Sequence, residues 1–343
     1  MLIYANILTL AILQGVVQQK VPFFSHSWEK EGLYVVCIVL VLLLLYVYFY
    51  FKISGLIKSN KELKEKEQIS AQIERQKEEL AQKNKSITDS IIYAKRIQEA
   101  IMPSEKIFKR MLPDSFVLHI PKDIVSGDFY WINQHHDKIF VAAVDCTGHG
   151  VPGAFMSLIG LELFRKITNN EGVEEPAHIL NNLNKDFEQI FKDMDNIVLR
   201  DGMDIAFCTI DNANHCLEFA GAYNPLYIIR DEKIIEIKGN RFPIGLNIID
   251  QEPHFETHKI DILDNDMLYI FSDGYADQFG GLEGKKFKYR RFRHLLLTIH
   301  SMPVETQLKI LEKSINEWKG NLEQVDDILI IGIRLHSNRI NPL

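Results

Sequence analysis

The residues best placed to do chemistry are aspartates at the ends of apolar runs. Asp145 follows the run 139–144 and precedes Gly148, Gly150, Pro152 and Gly153, after which a second apolar run, 154–161, has helical length. That pattern is a buried strand, a tight turn and a buried helix, with a carboxylate at the strand tip. Asp273-Gly274 closes the apolar run 267–271, Asp326-Asp327 opens the run 328–333, and Ser126-Gly127-Asp128 leads into 129–132. A carboxylate taken into an apolar interior is costly unless it is paired or bound to a cation. Taken singly, each is a turn aspartate capping a loop. Taken together, they converge on one sheet edge as an all-oxygen set suited to a hard cation such as Mg²⁺ or Mn²⁺.

The remainder of the chain must position them. Its 343 residues hold two or so domains, with 46% hydrophobic and 25% charged residues, as in ordinary globular proteins. The net charge of −7 argues against nucleic-acid binding. Cys37, Cys146, Cys208 and Cys216 show no C-x-x-C spacing and read as reduced, apolar residues. Residues 1–32 include a short apolar stretch, 2–17, that is a signal-like segment, a first membrane pass or the remnant of an upstream domain. Residues 33–51 carry no charge and are long enough to span a bilayer, with Tyr46, Tyr48 and Tyr50 near one interface. Lys52, Lys58, Lys61, Lys64 and Lys66 follow at once, so the positive-inside rule puts the remainder of the chain in the cytoplasm of an inner-membrane protein.

Residues 52–102 lack proline and, after Gly55, glycine. Ile73, Leu80, Ile87, Ala94 and Ile101 recur every seven residues, which predicts a long helix with a weak heptad seam, a parallel homodimeric coiled coil, ended by Pro103. From 103 to 343 the pattern is α+β. Strands are predicted at 116–120, 129–132, 138–144, 205–210, 216–220, 226–229, 233–237, 255–262, 267–271 and 328–333, with short polar turns that imply antiparallel hairpins. Helices are predicted at 153–168, 176–194, 287–299 and 303–318, lying outside the strands.

The stretches P-K-D-I-V-S-G-D-F-Y-W (121–131), V-D-C-T-G-H-G-V-P-G-A-F-M-S (144–157), D-G-M-D-I-A (201–206), A-G-A-Y-N-P-L-Y (220–227), F-S-D-G-Y-A-D-Q-F-G-G (271–281) and Q-V-D-D-I-L (324–329) follow one another in an order and spacing that resembles the SpoIIE-type phosphatase domain of bacteria, a branch of the metal-dependent type 2C serine/threonine protein phosphatases. The resemblance implies an α/β/β/α sandwich, two antiparallel sheets between helix layers. It implies that Asp128, Asp145, Asp273 and Asp326 hold two ions, Mn²⁺ or Mg²⁺, with Asp145 and Asp273 central to catalysis. Cys146 stands where the family usually has glycine, and its backbone carbonyl takes the corresponding ligand position. His149 is either a proton donor or a turn residue. Lys122 either holds a phosphate oxygen or lies on the surface. Asp204 and Asp277 either touch a third metal or serve turns. Thr147 occupies the position of the histidine proposed as general acid in eukaryotic type 2C enzymes.

The function implied is hydrolysis of a phosphoserine or phosphothreonine protein, for this family usually an anti-sigma-factor antagonist. Two other classes compete. A degenerate, phosphoprotein-binding scaffold would have lost one of the four carboxylates, and all four are present. A two-metal nuclease or nucleotide phosphohydrolase would want a basic groove or G-x-x-x-x-G-K-[ST], and that motif is missing from the sequence. Lys285, Lys286, Lys288, Arg290, Arg291 and Arg293 form a basic run that is either a solvated helix face or a docking surface for a phosphorylated partner.

Overall fold

The computed structural model describes residues 28–169, 172, 174–191, 201–211, 213–245 and 254–336; the stretch 2–17 lies outside them. The chain divides into two units, Met1–Asn84 and Lys85–Leu343. In the first, the described residues belong to one helix, α1 (Trp28–Ile101), which runs on into the second unit. Leu33 to Phe51 of α1 are largely exposed apolar residues. Among the described residues α1 is the one helix long and apolar enough to cross a membrane. Ile73 and Leu80 of the heptad seam are also exposed.

The second unit is built on two five-stranded antiparallel sheets. One comprises β2 (Phe129–His135), β3 (Lys138–Cys146), β4 (Met203–Asp211), β5 (Cys216–Ala222) and β8 (His258–Asp261), in that order. The other has the order β1 (Ser115–Ile120), β12 (Ile328–Arg334), β9 (Met267–Phe271), β6 (Leu226–Arg230) and β7 (Lys233–Ile237). Ile139, Val141 and Ala143 of β3 pack with Ile228, Ile270 and Ile331 of the facing sheet. Phe140, Ala142 and Val144 point the other way, against Leu161, Phe164 and Ile167 of α3 (Gly150–Thr168) and Leu180 and Leu183 of α4 (Pro176–Phe191). The outer face of the other sheet, with Tyr227, Met267 and Tyr269, is covered by Phe292 and Leu296 of α6 (Lys288–Ile299) and Leu311 and Ile315 of α7 (Val304–Lys319). Central strands are therefore buried on both faces, which is why they read as unbroken apolar runs instead of alternating ones. The architecture is the expected α/β/β/α sandwich.

The predicted elements recur with shifted ends, and 192–194 of the expected helix 176–194 lie outside the described residues. The run 255–262 is a strand only over His258–Asp261, because Phe255 turns into the helix-side core and Ile262 into the inter-sheet core. Two short helices and a small hairpin were not expected: α2 (Glu105–Met111), capped by the Ser104 hydroxyl accepting from Ile107 N; α5 (Gly274–Asp277); and β10 (Phe279–Gly280) with β11 (Lys285–Lys286). Each is at most about two turns or a pair of residues, below the length at which a period is legible.

Candidate metal centre

Antiparallel pairing brings the aspartates together. Phe129 pairs with Val144 and Asp145 pairs with Asp204, so the start of β2, the end of β3 and the start of β4 share one edge. In the other sheet Phe271 pairs with Ile330, so Asp273 after β9 and Asp326 before β12 lie at neighbouring strand ends. Glycines allow the close approach of the connecting loops. A Cβ added at Gly127 or Gly153 would fall on the Gly148 carbonyl oxygen, and one at Gly274 on the Asp327 carbonyl. Gly148 itself takes φ +85, a left-handed conformation suited to glycine.

The electrostatics show one cluster. Burial, then Asp145, pushes Asp128 well above the usual carboxylate range. Burial, then Asp273, does the same to Asp145. Asp204 is pushed up to about 7 by burial and Asp273, and Asp273 to about 6 by burial and then Asp326. Asp326 is raised chiefly by burial. Asp128 is 2% exposed and its Oδ2 has no hydrogen-bond partner among the described residues. Carboxylates that destabilise one another's charge, with an orphaned oxygen among them, form a donor set that fits hard dications.

The remaining expected residues are placed as follows. Cys146 is 3% exposed, its thiol held up by burial and then by Asp145, and its side chain packs in the helix-side core. It ends β3 in ordinary extended pairing with Met203, so the residue sits there without a left-handed backbone. Thr147 bonds across to Gly202, donating from Oγ1 to its carbonyl and accepting from its N–H. His149 caps α3 half-exposed, its Nδ1 2.6 Å from Asp123 Oδ2. The Lys122 N–H donates to Asp327 Oδ1 at 2.7 Å, and both Lys122 and His149 lie close enough to Asp326 to favour its ionised form. Asp277 pairs with Lys286 at 2.7 Å.

Sequence reasoning missed four participants. Asp327 is 2% exposed and accepts from the N–H groups of Lys122 and Gly127, clamping the loop that carries Asp128. Asp123 orients His149. Tyr289, on α6, has its phenol raised by burial and then by Asp273, Asp277 and Asp145, so it lies within electrostatic reach of the carboxylates. Gln98 of α1 is 4% exposed. Its Nε2 donates to Ser126 O and Ser157 Oγ, each at 2.7 Å, and its Oε1 accepts from Ser126 N at 3.2 Å. The acidic doublet was a visible signal for Asp327, and Asp123 lies within the 121–131 stretch; Tyr289 and Gln98 are marked by no motif. In the basic run, Arg293 pairs with Glu236, Lys286 with Asp277 and Lys285 with Glu283, while Arg291 lies over Trp318.

A sandwich of this topology with aspartates from both sheets at one edge defines a PP2C-type phosphatase domain. The chain belongs to the SpoIIE family: residues 135–336 match the model of stage II sporulation protein E (SpoIIE). Among solved structures it is similar to the SiaA-PP2C domain of Pseudomonas aeruginosa, at 31% identity and TM-score 0.68, covering 74% of this chain and 98% of that one. The PP2C phosphatase domain with a fragment of the regulatory domain of the cell fate determinant SpoIIE from Bacillus subtilis shares the fold at 18% identity and TM-score 0.53, over 65% of this chain and 63% of that one. Among curated proteins, the phosphoserine phosphatase RsbU of Bacillus subtilis is 23% identical over 195 residues, 56% of this chain. The chain spans about half of that relative, 54% of its length.

Proposed function

We propose that this chain is a membrane-anchored, metal-dependent phosphoserine/phosphothreonine protein phosphatase acting in bacterial signal transduction. The observation that carries the reading is the carboxylate edge, in which buried aspartates from two sheets raise one another's pKa and Asp128 Oδ2 has no partner among the described residues. Asp128, Asp145, Asp273, Asp326 and the Cys146 carbonyl would hold two ions, Mn²⁺ or Mg²⁺, with Asp204 and Asp277 available to a third. Bound there, such ions supply a water acidic enough to attack phosphorus at neutral pH and offset charge on the phosphoryl oxygens. The protein's own part is positional. Asp327 fixes the Asp128 loop, Lys122 would offer a cation to a phosphate oxygen, and His149, steered by Asp123, would return a proton to the leaving alkoxide oxygen.

The substrate in this reading is a phosphorylated partner protein. The apolar stretch 33–51 anchors the chain in the inner membrane with the catalytic domain cytoplasmic, and the exposed seam of α1 pairs two copies as a homodimer. The test is hydrolysis of p-nitrophenyl phosphate and of a phosphoserine peptide by the detergent-solubilised chain. Activity should require Mn²⁺ or Mg²⁺, vanish in EDTA and fall at least a hundredfold in Asp145→Asn. Wild-type turnover in that variant at saturating Mn²⁺ would remove Asp145 from the centre, and peptide binding without hydrolysis under all conditions would favour a scaffold.

A further inference from the structure

The hairpin that carries Asp128 and Asp145 has a second group of ligand-type side chains at its opposite end. β2 ends at His135, the turn is His136-Asp137, and β3 restarts at Lys138. Glu174, just before α4, reaches this turn. His135 Nδ1 lies 3.1 Å from His136 Nδ1 and 3.2 Å from Glu174 Oε1, and His136 Nδ1 lies 3.9 Å from the same oxygen. The two rings meet edge to face with centroids 4.2 Å apart.

These distances are those of one face of a coordination tetrahedron. An ion with bonds of about 2.0–2.1 Å to nitrogen and oxygen has ligand–ligand edges of about 3.3–3.4 Å. The three observed edges bracket that value. Hydrogen bonding alone serves the arrangement poorly. A neutral imidazole nitrogen carries either a proton or a lone pair, so His135 Nδ1 makes at best one well-aligned bond from its two close contacts. A dication at the centre of the triangle accepts a lone pair from each corner. Lys138 completes the arrangement, holding the other Glu174 oxygen, Oε2, at 3.0 Å, so that Oε1 is steered toward the imidazoles. Ligating carboxylates are commonly fixed by such an outer hydrogen bond. Among the described residues this is the one His/Cys/Asp/Glu group whose candidate ligand atoms all lie within 4.8 Å of one another.

We propose that His135, His136 and Glu174 form a binding site for a borderline dication, Zn²⁺ by class, remote from the carboxylate centre and distinct from it in ligand chemistry. Two imidazoles and one carboxylate select Zn²⁺ or Co²⁺ over Mg²⁺, which prefers all-oxygen sites. His136 is 74% exposed at its side chain, so solvent fills the remaining position and the ion exchanges freely. When filled, the site clips the β2–β3 turn to the segment entering α4.

The test is a Zn²⁺ and Co²⁺ titration of the untagged full chain, stripped of metal and kept in detergent with excess Mg²⁺. Equilibrium dialysis should show one Zn²⁺ equivalent that persists in Asp145→Asn, where the carboxylate centre is crippled. Co²⁺ in the same variant should give the intense visible absorption of a tetrahedral nitrogen-containing site. His136→Asn keeps a residue tolerant of the left-handed φ of 54 at this exposed turn; it should lower Zn²⁺ affinity at least tenfold and abolish the Co²⁺ spectrum, and Glu174→Gln should do the same. Lys138→Met should weaken binding about tenfold while leaving the spectrum in place. Zn²⁺ binding that disappears in Asp145→Asn, or that survives both His136→Asn and Glu174→Gln unchanged, would overturn the proposal.

Discussion

Gln98 is the side chain through which the end of α1 reaches the loop carrying Asp128, and Gln98→Leu tests how much that loop depends on it. The substitution keeps approximate volume but deletes one acceptor and two donated bonds. Ser126 and Ser157 are both fully buried. The Ser157 hydroxyl keeps its bond to Ala154 O at 2.8 Å, so its loss is small. The Ser126 N–H and C=O lose their Gln98 partner without access to water, at about 1–3 kcal/mol each. If the loop holds its position, the protein loses about 2–6 kcal/mol, of which 3 kcal/mol corresponds to roughly 6–12 °C in Tm for a domain of this size. If the loop shifts to rehydrate Ser126, the stability loss shrinks and Asp128 moves, so the Mn²⁺ concentration for half-maximal hydrolysis rises instead. The two readouts, Tm in EDTA and Mn²⁺ titration of phosphopeptide hydrolysis, should between them register a loss. Ser157→Ala is the control and should cost under 1.5 kcal/mol. A Gln98→Leu protein with wild-type Tm and wild-type Mn²⁺ dependence would show that the Asp128 loop does not depend on Gln98.

Cys146→Gly should leave metal affinity and turnover within about twofold, because the expected ligand is the main-chain carbonyl and the thiol is buried and neutral; a large loss of affinity would implicate sulfur. Asp204→Asn should raise the Tm of the metal-free protein at pH 8 and leave it unchanged near pH 3. The sign follows from the raised carboxyl: with a folded value of about 7 against 3.8 unfolded, its stabilising contribution is complete below the unfolded value and is lost as pH rises through 7. A variant less stable than wild type at pH 8 in EDTA would contradict this. Fusing a strong leucine zipper upstream of Ser70 in successive heptad phases should change turnover in a phase-dependent way, since a marginal seam lets two arrangements differ by only a few kcal/mol. Equal turnover in every phase would reduce the helix to a spacer.

The layers of the fold were legible because the strands are buried on both sides. Stretches such as 138–144 and 328–333 have no polar face to bury, and a soluble strand of that kind needs cover above and below. The acidic members of the candidate site were legible as a pattern: Asp145 and Asp273 alone pass for turn aspartates, but with Asp128 and Asp326 they repeat a carboxylate at the end of an apolar run. What was hidden depends on side chains meeting across long separations. Gln98 looks like any other polar residue of a heptad helix until its amide is seen on Ser126, 28 positions away. His135 and His136 belong to no motif of the sequence, and nothing near Glu174 marks it as their neighbour. Asp327 was half visible, as one of a pair, but which carboxylate faces the cluster and which clamps the loop is set by the side-chain alternation at the start of β12.

The carboxylate edge belongs to neither sheet. Asp128, Asp145 and Asp204 hang from one and Asp273 and Asp326 from the other, while the interface behind them is an apolar layer with few directional bonds. A close-packed apolar layer resists separation, and its interdigitated side chains allow a change of offset only in discrete steps. On the proposed assignment, a cation held by aspartates of both sheets would measure the offset between them, and its affinity would be a gauge of that offset. By linkage the gauge runs both ways: whatever shifts one sheet against the other changes cation affinity by some factor, and cation binding changes the occupancy of that shifted state by the same factor. Cation-binding isotherms of this chain would then report forces applied far from the aspartates, at any point where one sheet is gripped and the other is not.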